Sequence, residues 1–400
     1  MKEKGKRGTI MKRNLFVRLA AVVLVLVIAV SVAVPTEVFA AGSVEKTGIG
    51  DSGVFWEFDG ATGKLTVSGT GAIPDQKDPN NLPWKSVHEA IKEVVVSEGV
   101  TGVGKNAFAW CLSLTKVTLP KTLTSIGDYA FNNCQKLGEI TIPDRVETIG
   151  IQAFNFTMLS KIALPKAVTS IGFSVFSNCA ELAGITVAEG NPVYHASGNC
   201  LIETAAKKLI AGCKTSVIPT DGSVEIIGKN AFFGIGIVSG VIPEGVKVIE
   251  DSAFSRSGPS EFVLPESLES VGDLAFWGFA NLKKVTFKSK TTEIFDFEDT
   301  ISPSFIVICA PKGSTAEAYA EAYGHPFEEY TEKKTAPGDV NGDGNIDAFD
   351  YQMVKAYVLG TYKEAPAEQV KAMDVNGDTV VDAFDYQMIK AHVLGTYVIG

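Results

Sequence analysis

The chain has 400 residues, enough for two or three domains, and its 46% hydrophobic and 20% charged content excludes a wholly disordered polymer. Residues 1–40 carry seven Lys/Arg against Glu3 and Glu37, so the net charge of −10 for the whole leaves −15 for the remainder. A body that acidic excludes general nucleic-acid binding, which needs a basic surface, and suits cations instead.

Leu19 to Val34 is uncharged, follows a basic stretch and precedes Pro35 and the small-residue site Val38-Phe39-Ala40. That order predicts a secretory signal over 1–40, cut after Ala40, with Met11 as an alternative start. The rival reading is an uncleaved anchor, but the run is short of the roughly 20 residues a span needs. The mature chain is therefore expected outside the cell and not membrane-spanning.

From residue 108 onward a Phe recurs after Ala or Val, at Phe108, Phe131, Phe154, Phe176, Phe232, Phe254 and Phe276. Most steps are 22 or 23 residues and one is 56. A Pro follows an apolar strand at Pro120, Pro143, Pro165, Pro219, Pro243 and Pro265, and pairs such as Ile126-Gly127 and Ile149-Gly150 recur between. Such a period predicts a solenoid, because one coil cannot bury its apolar side chains alone and stacked coils can. Val117, Leu119, Leu123, Ile126, Ala130, Phe131, Cys134 and Leu137 are expected to point inward in one unit. The Gly after Ile is expected to permit a tight turn, and the Pro to end the ladder because it lacks an N–H.

The unit VTLPKTLTSIGDYAFNNCQKLGE (117–139) resembles the BspA-like leucine-rich repeats. The resemblance implies repeats over 91–303 with an insertion at 188–214 similar to the strand pair such proteins carry, a β cap at 41–90 and a closing strand and helix at 304–330. Caps are needed because an open solenoid end exposes apolar residues and strand edges. Cys111, Cys134 and Cys179 sit three residues after a repeated Phe and read as buried wall residues. Cys200 and Cys213 flank a hairpin and are the candidates for a disulfide.

The outward ladder positions Lys116, Glu139, Lys161 and Lys284 alternate with Thr118, Thr141, Ala163 and Thr286 and specify no ligand. Trp110, Tyr129, Phe156, Phe173, Phe233 and Trp277 lie beside the repeated Phe. Two readings stay open for them: an aromatic patch for sugar rings or protein, or partly buried loop packing.

After a linker at 331–338, DVNGDGNIDAFDYQMVKAYVLGTY (339–362) returns 35 residues later with 19 of 24 positions identical. Asp339, Asn341, Asp343, Asp347 and Asp350 occupy loop positions 1, 3, 5, 9 and 12, as do Asp374, Asn376, Asp378, Asp382 and Asp385. That is the ligand spacing of a 12-residue Ca²⁺ loop, with Asn345 and Val380 at position 7 giving backbone carbonyls. Two ions are expected, and metal should help fold the region because clustered aspartates otherwise repel. Position 12 is Asp where EF-hands carry Glu. Position 6 favours φ > 0 and is Gly344 in one loop but Thr379 in the other, which predicts a weaker second site.

Apolar-periodic helices are predicted over 349–359 and 384–394, with a short helical link at 365–373. Loop then helix, twice, resembles a type I dockerin over 339–400. The resemblance implies calcium-dependent docking onto the cohesin domain of a scaffoldin, in a complex that degrades plant polysaccharide. It places the cohesin contacts at Ala348, Phe349, Lys355 and Ala356, repeated at Ala383, Phe384, Lys390 and Ala391. Many relatives carry Ser-Thr where this chain has Ala-Phe, so a more apolar contact is expected, with Phe as anchor. The residues also allow Phe349 and Phe384 to be core. Identical copies imply docking in either of two orientations.

The acids outside the loops, such as Glu139, Asp144, Glu147 and Glu181, show no paired setting for glycoside hydrolysis. No HExxH or GxSxG pattern occurs, and His88, His195, His325 and His392 lie far apart. The expected fold class is therefore mixed: a leucine-rich-repeat β-solenoid followed by a small all-α calcium-binding module. The expected function is that of a secreted non-catalytic protein whose repeats recognise a protein or polysaccharide. A surface adhesin and a cryptic glycoside hydrolase are the alternatives.

Overall fold

A computed structural model of the chain describes residues 42–78, 82–237, 239–331, 336–341, 344–362, 365 and 367–399. The expected export signal lies outside the described residues.

The solenoid is assembled from very short strands. Val44–Gly48, Val54–Asp59 and Lys64–Gly69 form an antiparallel meander, and the last strand pairs in parallel with Glu93–Val96, which pairs with Lys116–Thr118. The expected N-terminal cap thus hands its edge directly to the first coil. A second ladder of two-residue strands runs through Ser125–Ile126, Thr148–Ile149 and Ser170–Ile171, each paired in parallel with the next. At the far end Val307–Ala310 pairs with Lys284–Phe287 and with Phe327–Glu329, and helix α1 (Thr315–Tyr323) packs beside it. This closing unit contains a second strand that the sequence pattern did not signal.

Inside the coils, the repeated phenylalanines stack. Trp84 lies on Phe108 at 5.1 Å between centroids, Phe108 on Phe131 at 5.4 Å, Phe131 on Phe154 at 5.7 Å and Phe154 on Phe176 at 5.9 Å. Phe232, Phe254 and Phe276 form a second run. Trp84 is the cap's member of the stack, and its indole N–H donates to the Ala107 carbonyl at 3.0 Å. Each fully buried ring contributes roughly 2–3 kcal/mol of apolar transfer, so the stack ties coil to coil. Leu123, Ile126, Ala130, Cys134 and Leu137 are buried as expected, while Val117 and Leu119 are only partly buried.

A third set of intercoil hydrogen bonds flanks the rings, as in Phe108 N–H to Ala130 O at 2.8 Å and Phe131 N–H to Ala153 O at 2.8 Å. To make these bonds the backbone enters the left-handed region two residues before and two after each Phe, as at Tyr129 and Asn133 or Gln152 and Phe156. A non-Gly residue there costs roughly 1–2 kcal/mol, less for Asn.

The glycine after Ile serves a different purpose from the expected turn. A Cβ on Gly150 would lie 2.3 Å from the Asp128 nitrogen, and one on Gly172 2.3 Å from the Ile151 nitrogen. These positions are where one coil's backbone lies against the next. Pro120, Pro165 and Pro265 follow ladder strands as expected, whereas no described strand precedes Pro143 or Pro219, and the carbonyls of Pro120, Pro143 and Pro165 each accept the N–H three residues on, closing a tight turn.

The 56-residue step is spanned directly. Asn178 N–H donates to Phe233 O at 2.8 Å and Asn230 Nδ2 donates to Ser174 Oγ at 2.7 Å, so these coils meet across the insertion. The insertion holds three strands rather than a pair: Tyr194–Ser197, Cys200–Glu203 and Lys208–Ala211. The third pairs in parallel with Ile226–Ile227 and so opens a separate ladder that continues through Val248–Ile249 and Ser270–Val271.

Cys200 and Cys213, the candidates for a disulfide, are free thiols. Their sulfurs turn to separate backbone carbonyls, Cys200 to Val217 at 3.7 Å and Cys213 to Asn199 at 3.5 Å. Cys134 and Cys179 are wall residues, and each thiol donates to the carbonyl of the preceding coil's Phe, Phe108 at 3.1 Å and Phe154 at 3.0 Å. Burial pushes the thiols of Cys111 and Cys200 up to about 12, that of Cys179 to about 11, and that of Cys134 well above its ordinary value.

Two outcomes follow from this packing. Phe131→Ala should destabilise the solenoid by about 3–5 kcal/mol, read from the midpoint and slope of urea unfolding followed by circular dichroism. Iodoacetamide at pH 8 should leave Cys111, Cys134, Cys179 and Cys200 unmodified in the native protein and label all four in guanidinium, as counted by mass spectrometry.

Candidate functional site

The acidic loops are each followed by a helix that the same acids begin. Helix α2 (Ala348–Val358) and helix α4 (Ala383–Val393) carry Asp347 and Asp382 as N-caps, with a short helix α3 (Ala367–Met373) between. Asp347 Oδ1 accepts from Phe349 N at 2.7 Å, and Asp350 Oδ2 accepts from Asp347 N at 2.9 Å. Asp382 and Asp385 repeat this at 2.6 and 2.9 Å. The Asp-x-x-Asp pattern is thus a reciprocal capping box, and its charge complements the positive end of the helix dipole.

Loop position 12 is also the tie that closes each loop. Asp350 and Asp385 are completely buried. Asp350 Oδ1 accepts from Val340 N at 2.7 Å and Asn341 N at 3.0 Å, and Asp385 Oδ1 accepts from Val375 N at 2.9 Å and Asn376 N at 3.3 Å. With the capping bond, each carboxylate takes three backbone N–H groups, which is what makes a buried charge tolerable.

The side chains at positions 1, 3 and 5 fold over the loop backbone. Asp339 Oδ2 accepts from Gly344 N at 3.0 Å. Asp374 accepts from Gly377, Asp378 and Thr379 at 2.8, 3.1 and 2.9 Å. Asn376 and Asp378 are hydrogen-bonded to each other at 2.8 Å, and Asp378 Oδ1 accepts from Val380 N at 2.9 Å. The side chains of Asn345 and Val380 are exposed, as a residue that offers only its carbonyl permits. Asp343 lies outside the described residues.

This donor set fits a hard divalent cation by its chemistry. Every side chain at positions 1, 3, 5, 9 and 12 presents a carboxylate or amide oxygen, and position 12 already holds the curl of the loop. Among the described residues no three His, Cys, Asp or Glu side chains converge as a finished metal cluster. Position 6 has the left-handed backbone expected of it, with φ of 94° at Gly344 and 72° at Thr379.

The duplicated halves pack on each other through equivalent residues. Val354 and Ile389, 35 residues apart, are fully buried in one small core with Val340, Ala372 and Met373. Tyr351 and its counterpart Tyr386 lie 6.0 Å apart. The opposite faces of the helices stay open. Phe349 is 73% exposed and Phe384 61%, which settles the alternative that they are core. Ala348, Ala383 and Lys390 are exposed, whereas Lys355, Ala356 and Ala391 are half-buried, with the Lys355 ammonium 5.8 Å from the Tyr351 ring. Leu359 and Leu394, each 66% exposed, recur as the C-cap residues of the two helices. Sequence reasoning missed this pair, although its recurrence at the 35-residue offset was a usable signal.

A BspA type leucine rich repeat region, in six copies, matches residues 87–200 and 203–311, more than half of the chain. The chain belongs to the BspA-type leucine-rich repeat family. This BspA-type protein also carries a type I dockerin domain, matched over residues 337–394. A dockerin implies a cohesin partner, and neither kind of domain is a catalytic kind. Together they suggest extracellular or cell-surface association. No described helix is long and apolar enough to cross a membrane.

A leucine-rich repeat protein from Eubacterium ventriosum is similar in structure, with a TM-score of 0.53 and 24% identity over 66% of this chain and 80% of its own. That likeness shows the solenoid fold alone. A leucine-rich cell surface protein from Faecalibacterium prausnitzii aligns at 20% identity over 73% of this chain and 97% of its own, with a TM-score of 0.43. No curated protein matches the BspA-type chain.

A calcium titration by calorimetry should resolve two unequal sites. Replacing Thr379→Gly should relieve about 1 kcal/mol of backbone strain, close to fivefold in affinity at the weaker site. An unchanged isotherm would show that the φ of 72° carries no such strain.

Proposed function

We propose that this is a secreted, non-catalytic protein that its dockerin plugs into the cohesin of a scaffoldin while its repeats recognise a protein or polysaccharide. It takes part in plant-polysaccharide breakdown by that association. Residues 1–40 act as the export signal. The chain then divides into a cap at 41–90, repeats at 91–303, a closing cap at 304–330, a linker at 331–338 and the dockerin at 339–400.

One observation carries the docking half of this reading: the same exposed stripe occurs on two helices that pack on each other through matching residues. A partner that fits Ala348, Phe349, Lys355 and Ala356 also fits Ala383, Phe384, Lys390 and Ala391 after a half-turn of the module. The exposed Phe is the anchor, since a ring left in water in the free protein gains most by burial.

Calcium belongs to the same reading. Asp339, Asn341, Asp343, the Asn345 carbonyl, Asp347 and Asp350 would hold one ion, and Asp374, Asn376, Asp378, the Val380 carbonyl, Asp382 and Asp385 the other. When bound, the ions supply charge that offsets the aspartates of each loop. The residues themselves set the helix starts, and through them the stripe's orientation.

The test is capture of the full chain on immobilised cohesins of several types. EDTA should abolish capture. Phe349→Ala or Phe384→Ala alone should weaken it less than fivefold, and the double variant more than a hundredfold. Capture that survives chelation, or that either single change removes, would contradict the reading.

A further inference from the structure

In each coil the residue two positions after the buried Phe has a left-handed backbone. Asn133, Asn178, Gly234 and Gly278 are residue types that tolerate it, and Arg256, with φ of 56°, is a half-buried exception. Trp110 and Phe156, with φ of 63° and 57°, are not such types, and their rings are 47% and 39% exposed. A bulky side chain that accepts backbone strain without burying itself breaks the local rule, and such breaks gather at working surfaces.

The turn segments that carry these rings are themselves uncharged, with Lys105 at their edge, its ammonium 5.6 Å from the Tyr129 ring. The four turn segments 106–112, 129–135, 152–158 and 174–180 contain no Asp, Glu, Lys or Arg, in a chain where one residue in five is charged. Amides run between the coils: Asn155 Nδ2 donates to Asn132 Oδ1 at 2.9 Å, and Asn178 Nδ2 to Asn155 Oδ1 at 3.0 Å. On the coil between the two rings Gln135 is exposed, and its Nε2 donates to Asn133 Oδ1 at 2.7 Å. Trp110 and Phe156 stand two coils apart, about 10 Å at the spacing of a strand ladder.

We propose that this face binds a neutral polysaccharide, a β-1,4-linked hexose chain lying along the solenoid axis. The two-coil interval is the length of one disaccharide unit of such an extended chain. Alternate sugars then lay their apolar C–H faces on Trp110 and Phe156, while Gln135 and the amide row meet the hydroxyls between. Charge points to the same occupant. An uncharged row offers no ion pair to a charged peptide segment, whose groups would lose water without a partner, whereas a neutral glycan has no charge to desolvate. The repeating geometry also suits a repeating polymer better than the irregular surface of a folded protein. The inference rests on the repeats being the recognition arm proposed above and is independent of the dockerin.

Affinity electrophoresis of the full chain through gels containing hydroxyethyl cellulose, glucomannan or polygalacturonate tests it. The two neutral polymers should retard the protein and the anionic one should not. Trp110→Ala and Phe156→Ala should each weaken retardation at least fivefold, and the pair should abolish it. Phe305→Ala, an exposed aromatic elsewhere, should migrate as the parent does. Circular dichroism and cohesin capture should be unchanged in every variant, which separates a lost glycan site from a lost fold. No retardation by either neutral polymer, equal retardation of the double variant, or preference for polygalacturonate would overturn the proposal. Any of these could occur with calcium-dependent cohesin capture intact, so the docking reading stands or falls separately.

Discussion

Ring-on-ring contact between neighbouring coils is the interaction on which the solenoid depends. One buried Phe per coil, with ring centroids 5.3 to 5.9 Å apart along each run, keeps each coil in register with the next. That register lets two strand ladders and a third row of backbone bonds form without any long strand. The ladder strands are as short as two residues, and no such strand holds its own place in water. Because every coil leans on its neighbours, the ends need partners, and Trp84 supplies the first ring from outside the repeat. The insertion is tolerated for the same reason. Its strands leave the stack and head the ladder of the later coils, while the coils on either side keep their own contacts.

The dockerin answers a different problem, that of a core too small to stand alone. Its fully packed residues are few, and they come from both halves and the link between them. The acids carry much of the remaining specification. Asp347 and Asp382 start helices, and Asp350 and Asp385 hold helix starts and loop beginnings together with three hydrogen bonds each. Oxygen atoms that set the backbone in this way are also those the loop spacing assigns to a cation, so folding and ion binding share one set of residues.

The two parts expose apolar surface in contrasting ways. On the dockerin it is concentrated in a duplicated stripe led by Phe349 and Phe384. On the solenoid it is scattered, as at Phe173, Val217, Phe295 and Phe305, and includes Trp110 and Phe156 at the left-handed turn position. Both are departures from what local stability alone would select.

The sequence by itself determined the coil period, the buried Phe and the paired acidic loops, including the need for φ > 0 at Gly344 and Thr379. These are repeated or local features, and a pattern seen several times carries its own register. Tertiary structure alone decided the rest. A helical stripe read from Phe349 has two apolar faces, and only the packing of Val354 on its counterpart Ile389 turned Phe349 outward. Hairpin spacing brought Cys200 and Cys213 near each other, but the direction of each sulfur depended on carbonyls distant in sequence. The Ile-Gly glycines look like turn residues along the chain, yet their lack of a Cβ matters because another coil's backbone lies against them. In each case the deciding neighbour is remote along the chain, where a local pattern has no information.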